Sequence, residues 1–120
     1  MTAMAATHTN SINGVDLDTL METVGAIKAD PELGIARFRA SNTWLAGNRN
    51  RSAVTGFYGA KQEIKHAQTF HMEADEPPIL AGQDEAPNPV EHLLHALASC
   101  LTTSMVAHAA VRGISIEELE

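Results

Sequence analysis

Residues 88–113 read NPVEHLLHALASCLTTSMVAHAAVRG, and this stretch decides the fold. Asn88 is a favourable N-cap, Pro89 suits the first helical position, and Glu91, three residues after the cap, can complete a capping box. At the other end stands Gly113, a residue that readily takes the left-handed conformation that ends many helices. The pattern therefore predicts a helix of about 24 residues, roughly 36 Å long.

The predicted helix is apolar around most of its circumference. One face carries Leu93, Leu94, Leu97, Leu101 and Met105, and alanine and valine cover most of the remainder. A helix that is apolar on more than one side is typical of the buried centre of a protein. We therefore expect it to be central and covered on several sides, which favours a dimer or a higher homo-oligomer.

Upstream of this helix the hydrophobic period changes from helical to alternating, which is the pattern of half-buried strands. Three such segments cover residues 35–46, 49–58 and 62–74. Turn signals at Gly47-Asn48 and Gly59-Ala60 separate them. Short turns between alternating strands predict an antiparallel meander with one face exposed to solvent.

A second, amphipathic helix is predicted before the strands, beginning near residue 15. Its apolar stripe consists of Leu17, Leu20, Met21, Val24 and Ile27. Asp16 or Asp18 can cap its start, and the helix should stop at Asp30 because a residue before proline disfavours the helical conformation. Residues 1–14 are expected to form a flexible arm. Residues 15–120 should form a single α+β domain.

Composition narrows the class of protein. The chain has 120 residues, with 15 acidic and 8 basic side chains and a net charge of −7. This balance argues against nucleic acid and against an anionic membrane surface as partners. We expect no membrane association, since apolar runs look too short for a span. A single cysteine and no signal peptide predict a cytoplasmic protein without a disulfide.

The stretch APNPVEHLLHALASCLT, followed by an alanine-rich helix that closes on RGISIEELE, resembles the OsmC/Ohr family. These are osmotically inducible and organic-hydroperoxide-resistance proteins. The order of strands and helix is also similar, and the loop DEPPILAGQDEAPNP resembles that of longer members with an extra N-terminal helix. The resemblance covers about residues 15–120.

The resemblance implies an OsmC-like fold in which an antiparallel meander packs on the long central helix. Family members continue with further strands, a second long helix and often a second cysteine. The chain is therefore expected to be an N-terminal portion or a naturally shortened member that lacks the C-terminal half of the fold. Its last residues leave two alternatives open: Ile114 and Ile116 alternate as a strand would, whereas Ser115 and Glu118 could cap a short helix.

The resemblance further implies a thiol peroxidase with no cofactor and no metal. Cys100 matches the cysteine that attacks the peroxide. Arg49, with Arg51 as second choice, matches the arginine that activates the thiol, and Glu91 matches the glutamate that holds the arginine. The implied partners are a small hydroperoxide, an external thiol reductant and a second copy of the chain.

Other interpretations of the same residues stay open. Cys100 lies twelve residues beyond the helix cap, too far for the helix dipole to activate it, and can be a small buried apolar residue. Arg49 and Arg51 can be solvated strand charges. Glu91 can be a cap alone, because nine residues, or about 13.5 Å of helical rise, separate it from Cys100. Without a second cysteine, a sulfenic acid at Cys100 would need an external thiol.

Two further functions compete with a peroxidase. One is a non-catalytic binding or structural protein in which Cys100 only fills the core. The other is a metal-binding module built on His92 and His95, which are three residues apart on the helix, with Cys100 or other histidines as additional ligands. A zinc site needs three or four converging ligands. The remaining candidate ligands are His66, His71 and His108.

Overall fold

A computed structural model describes residues 10–120. Its strands are β1 (Ser11–Ile12), β2 (Val15–Asp16), β3 (Arg37–Phe38), β4 (Ser41–Ala46), β5 (Arg49–Gly59) and β6 (Gln62–Ala74). Its α-helices are α1 (Leu17–Ala29) and α2 (Pro89–Val111), and short 3-10 turns cover Pro31–Gly34 and Pro78–Leu80. The α+β class and the element order agree with the prediction.

The main sheet is the predicted meander. β5 forms its centre, β6 pairs along one edge, and β3 and β4 pair with successive parts of the other edge. All pairings are antiparallel, so β3 and β4 act as one interrupted strand. The second turn lies one residue later than predicted: Gly59 pairs with Gln62, and Ala60 and Lys61 both have positive φ. Such a two-residue turn suits the twist of the strands that it joins.

A large bulge bends the sheet in the middle of β6. Val54 pairs with Phe70 whereas Gly56 pairs with Lys65, so β6 carries extra residues that have no partner on β5. At this bend β6 comes very close to β5: a Cβ atom on Gly56 would lie 2.4 Å from the carbonyl oxygen of Ile64. Only glycine fits there without a shift of the backbone.

The N-terminal helix begins as predicted, whereas the segment before it differs. Asp16 is the N-cap of α1, and its side chain accepts a hydrogen bond from the backbone N–H of Thr19 at 3.1 Å. Of the arm expected over residues 1–14, residues 1–9 lie outside the described part of the chain. Ser11–Ile12 instead pairs with Val15–Asp16 in a small hairpin. Its turn uses the left-handed conformation, which the asparagine and glycine between the two strands adopt readily.

Both predicted ends of α2 are confirmed. Asn88 and Glu91 form the capping box, with bonds of 2.8 and 2.9 Å. At the C-terminal end Gly113 has φ +72°, and its N–H donates to Ala110 while the N–H of Ile114 donates to Ala109. This pair of bonds is the Schellman pattern that satisfies the last helical carbonyl groups.

The residues after α2 form neither of the two predicted alternatives. They adopt no helix and no strand. The side chain of Asn13 instead holds them, donating to the carbonyl of Ile114 and accepting from the N–H of Ile116, both at 2.8 Å. The backbone of Ile114 and Ile116 therefore forms hydrogen bonds with an asparagine side chain and not with a neighbouring strand.

The prediction that α2 is buried is wrong for the single chain. Its large apolar side chains are between 53% and 68% exposed, and Ala110 is its one buried residue. The exposed set is Leu93, Leu94, Leu97, Leu101 and Met105; we call it the apolar face of α2. The cause is topological: α2 packs mainly on β1 and β2, so the main sheet leaves this face uncovered.

The accessible surface gives the same result for the whole chain. It measures 9489 Å², whereas a compact protein of 12.8 kDa exposes about 6,300 Å². The total includes residues 1–9, which lie outside the described part of the chain. Nine residues add at most about 1,400 Å², the surface of a fully exposed chain of that length. About 1,800 Å² of excess then remains on one chain, which is more than the roughly 800 Å² that each partner buries in a stable interface of standard size.

One prediction about membranes needs correction. By length and composition alone, Pro89–Val111 is apolar enough to cross a bilayer, with a mean hydropathy of 1.3 over its most apolar window. The expectation that no run reaches this length was therefore wrong. One such helix is weak evidence for a span: 6% of its most apolar window is buried in the single chain, and α2 carries a glutamate and three histidines.

Candidate functional site

Two arginines and two glutamates form an ion-pair cluster at the start of β5. Arg51 is the register partner of Glu73 on β6, and its Nε and Nη2 atoms donate to Oε1 of Glu73 at 3.0 and 2.6 Å. Arg49 lies 3.1 Å from the carboxylate of Glu85 and 3.8 Å from that of Glu73. Both predicted arginines therefore lie on one side of the sheet, bridged by Glu73. We call these four residues the arginine cluster.

Within the arginine cluster, the two arginines favour the ionised form of Glu73. The hydrogen bond from Arg51 lowers the pKa of the Glu73 carboxyl below its ordinary value, and the charges of Arg51 and Arg49 add to this effect. Two guanidinium groups and two carboxylates balance each other. Since these side chains are between about one third and one half exposed, each pair fixes geometry more than it adds stability.

Asp75 organises the loop that delivers Glu85 to this cluster. Its side chain is 1% exposed, and its carboxylate accepts hydrogen bonds from the backbone N–H groups of Glu76, Gln83 and Glu85 at 2.8 to 3.2 Å. Burial raises the pKa of Asp75, but the three N–H donors and the charge of Arg49 outweigh it, so the pKa lies below its ordinary value. The loop is therefore wrapped around a buried anion.

The sequence reasoning missed Glu73, Asp75 and Glu85 as parts of this site. Glu73 falls in the third predicted strand segment, residues 62–74, and the other two fall in the loop DEPPILAGQDEAPNP. The sequence offered one signal, the alternation of polar residues along the segments that became β5 and β6. Alternation alone does not say which residues face each other across the two strands. The register does, because it sets Arg51 opposite Glu73.

Glu91 lies in a different setting from the one that the resemblance implies. Its Oε1 atom accepts a hydrogen bond from the backbone N–H of Asn88 at 2.9 Å, which completes the capping box. Within residues 10–120 it forms no ion pair with an arginine. In the single chain, Glu91 therefore acts as a cap, and the carboxylates beside the arginines belong to Glu73 and Glu85.

His92 joins the helix that carries the cysteine to the strand that carries Glu73. Its Nε2 atom lies 2.7 Å from the backbone carbonyl oxygen of Glu73, a distance at which the ring N–H donates. Nearby, a cleft between the sheet and the start of α2 is lined by Asn50, Ser52, Met72, Ala74, Pro89 and His92. The first turn of α2 is thus anchored at the residue that also binds the arginines.

Cys100 lies further along α2, on an exposed part of the helix. It follows His92 by eight residues, or about 12 Å of helical rise. In the described part of the chain no hydrogen bond or ion pair joins its thiol to Arg49 or Arg51. Its exposure does not fit the interpretation of a core residue within one chain. The structure therefore brings the arginines together but does not bring them to the cysteine.

The histidines do not assemble a metal site between residues 10 and 120, where no three His, Cys, Asp or Glu side chains are grouped for a metal ion. His92 is engaged with a carbonyl, and Nε2 of His95 lies 3.4 Å from the hydroxyl of Ser99. His66 lies between the rings of Phe57 and Phe70. The metal-binding alternative thus gains no support from this part of the chain.

Comparison with known families gives a match over part of the chain. Residues 82–120 match the family model described as OsmC-like protein. The matched segment contains all of α2 and Cys100, so the resemblance to the OsmC family is confirmed over this third of the chain. The family is one of stress-response proteins. No curated protein matches the chain.

Proposed function

We propose that this protein is a cytoplasmic, thiol-dependent hydroperoxide reductase and that Cys100 is its peroxidatic residue. The observation that carries the proposal is the position of Cys100: it lies on the helix of the OsmC-like segment, and its side chain is accessible. An accessible thiol on a rigid helix can meet a peroxide without local unfolding.

The proposed reaction has two steps. The Cys100 thiolate attacks one peroxide oxygen, an S–O bond forms while the O–O bond breaks, and the leaving alkoxide takes a proton to become an alcohol. Cysteine is thereby oxidised to sulfenic acid. Two equivalents of an external thiol then reduce it, which yields a disulfide of that reductant, one water and the original thiol. The external reductant replaces the second cysteine that the described chain does not contain.

Such a thiol needs a nearby cation, because the thiolate is the nucleophile. Within residues 10–120 no hydrogen bond joins an arginine to the Cys100 thiol, so we propose that a second copy of the chain brings Arg49, or in second place Arg51, to it. The exposed apolar face of α2 supports this arrangement, because Cys100 lies at its edge and the face needs a cover. The proposed active form is therefore a homodimer or a higher homo-oligomer.

The test is the rate of sulfenic acid formation, measured by trapping with dimedone and mass spectrometry after addition of cumene hydroperoxide. We expect the wild-type protein to react far faster than free cysteine. Cys100→Ser should give no adduct, and Arg49→Gln should react about tenfold more slowly. If folded wild-type protein reacts no faster than free cysteine, the peroxidase proposal is wrong.

A non-catalytic binding or structural protein is the second candidate. The observation that favours it is the arginine cluster, in which Glu73 and Glu85 already neutralise both arginines. In this case Cys100 would lie in the contact between two chains and would take part in no reaction. The same trapping experiment separates the two functions, because an interface residue would react no faster than free cysteine.

A further inference from the structure

The resemblance to the OsmC/Ohr family implies that a carboxylate fixes the activating arginine. The residue that the resemblance implies, Glu91, uses its carboxylate to cap α2 and contacts Asn88. Within residues 10–120 its carboxylate forms no ion pair with Arg49 or Arg51. The acids that hold these arginines there are Glu73 and Glu85.

Glu73 has the geometry for this task. One of its carboxylate oxygens accepts two hydrogen bonds from Arg51, and the other lies 3.8 Å from Arg49. The pairing of Arg51 with Glu73 across the β5–β6 ladder makes this contact a consequence of the strand register rather than of a flexible loop. A contact built on paired strands positions a guanidinium more rigidly than a contact on a loop does.

Glu73 also has a second connection that Glu85 lacks. Its backbone carbonyl accepts the hydrogen bond from His92 in the first turn of α2. One residue thus binds the arginines through its side chain and the cysteine-bearing helix through its main chain.

We infer that Glu73, and not Glu91, is the residue that positions the activating arginine for chemistry at Cys100, and that it couples the arginine cluster to α2 through His92. This inference rests on the proposed function. Glu73 is a positioning residue, because it touches the arginines and not the reacting atoms. Glu85 holds Arg49 from the other side.

The test measures Cys100 in two reactions, alkylation by iodoacetamide at pH 7 and oxidation by cumene hydroperoxide. Because the chain has a single cysteine, both rates report Cys100 alone, and alkylation follows the thiolate fraction without any peroxide chemistry. The variant is Glu73→Gln. The matched control is Glu63→Gln, since Glu63 lies on the same strand and binds Arg39 through two hydrogen bonds of 3.1 and 2.6 Å.

We expect Glu73→Gln to slow both reactions about tenfold, because an arginine that is no longer held in place stabilises the thiolate less. Glu63→Gln should change neither rate. The sign of the effect is decisive: if Glu73 merely neutralises the arginines, its removal would speed alkylation, and the inference would be overturned. Unchanged rates in Glu73→Gln would overturn it as well, as would a larger loss in Glu91→Gln.

A double-mutant comparison adds a result that a purely structural role would not produce. If Glu73 acts through the activating arginine, then Glu73→Gln combined with Arg49→Gln, or with Arg51→Gln if Arg51 is the activator, should lose no more than the arginine variant alone. Additive losses would mean that Glu73 acts on Cys100 by another route. Should the wild-type protein fail to react with hydroperoxide, the peroxidase proposal falls, while a slower alkylation in Glu73→Gln would still support the positioning role.

Discussion

The apolar face of α2 makes a quantitative prediction about self-association. Leu97 lies at its centre, and its side chain is 57% exposed in the single chain. Full burial of a leucine contributes about 1.5–3 kcal/mol, so covering the exposed fraction contributes about 1 kcal/mol per copy. A two-fold interface contains the residue twice. Leu97→Ala should therefore cost the dimer about 2 kcal/mol, which raises the dissociation constant about 30-fold.

The assay is sedimentation velocity over a concentration series. The wild-type protein should sediment as a dimer or larger, and Leu97→Ala should need a higher concentration to do so. The matched control is Ile79→Ala, because Ile79 is a similar apolar side chain, 91% exposed, on the 3-10 turn Pro78–Leu80. It should leave the dissociation constant unchanged. A wild-type protein that stays monomeric at every concentration, or equal shifts in both variants, would refute the reasoning.

Two further predictions concern stability. Asn88→Ala should lower the free energy of unfolding by about 1 kcal/mol in urea denaturation, because the N–H of Glu91 loses its acceptor, whereas Asn88→Asp should stay near wild type; equal losses in both would contradict the capping role. In acid, the pKa of Glu73 is lower in the folded than in the unfolded chain, so its contribution is complete above about pH 4.5 and disappears as the pH falls through the folded value. The unfolding temperature, measured as a function of pH, should therefore fall less in acid for Glu73→Gln than for wild type. Parallel curves of unfolding temperature against pH would contradict this.

Local chemistry explains why much of the fold was predictable. The capping box at Asn88, the aspartate cap of α1 and the glycine that ends α2 each depend on residues within a few positions of one another. The alternation that predicted the meander is local too, since side chains on a strand change face at every residue. Errors arose where the conformation depends on a distant segment, as for the residues after α2, where Asn13 binds the backbone of Ile114 and Ile116.

The candidate site was predictable only in part, for the same reason. Cys100 and the two arginines could be chosen by type and by the family resemblance. Glu73 could not, because its role depends on the register between two strands, which sets it opposite Arg51. Asp75 gave no sequence signal either: a buried anion in an acidic loop is recognisable only when three backbone N–H groups are seen to converge on it.

The sequence by itself determined the elements, their order and the apolar character of α2. Periodicity and capping are properties of short stretches, so no tertiary contact is needed to predict them. Only the tertiary structure decided that a single chain leaves α2 largely exposed, since burial depends on which surfaces a topology brings together. It also decided that Glu73 holds the arginines while Glu91 caps the helix, because long-range ion pairs follow from strand register rather than from composition.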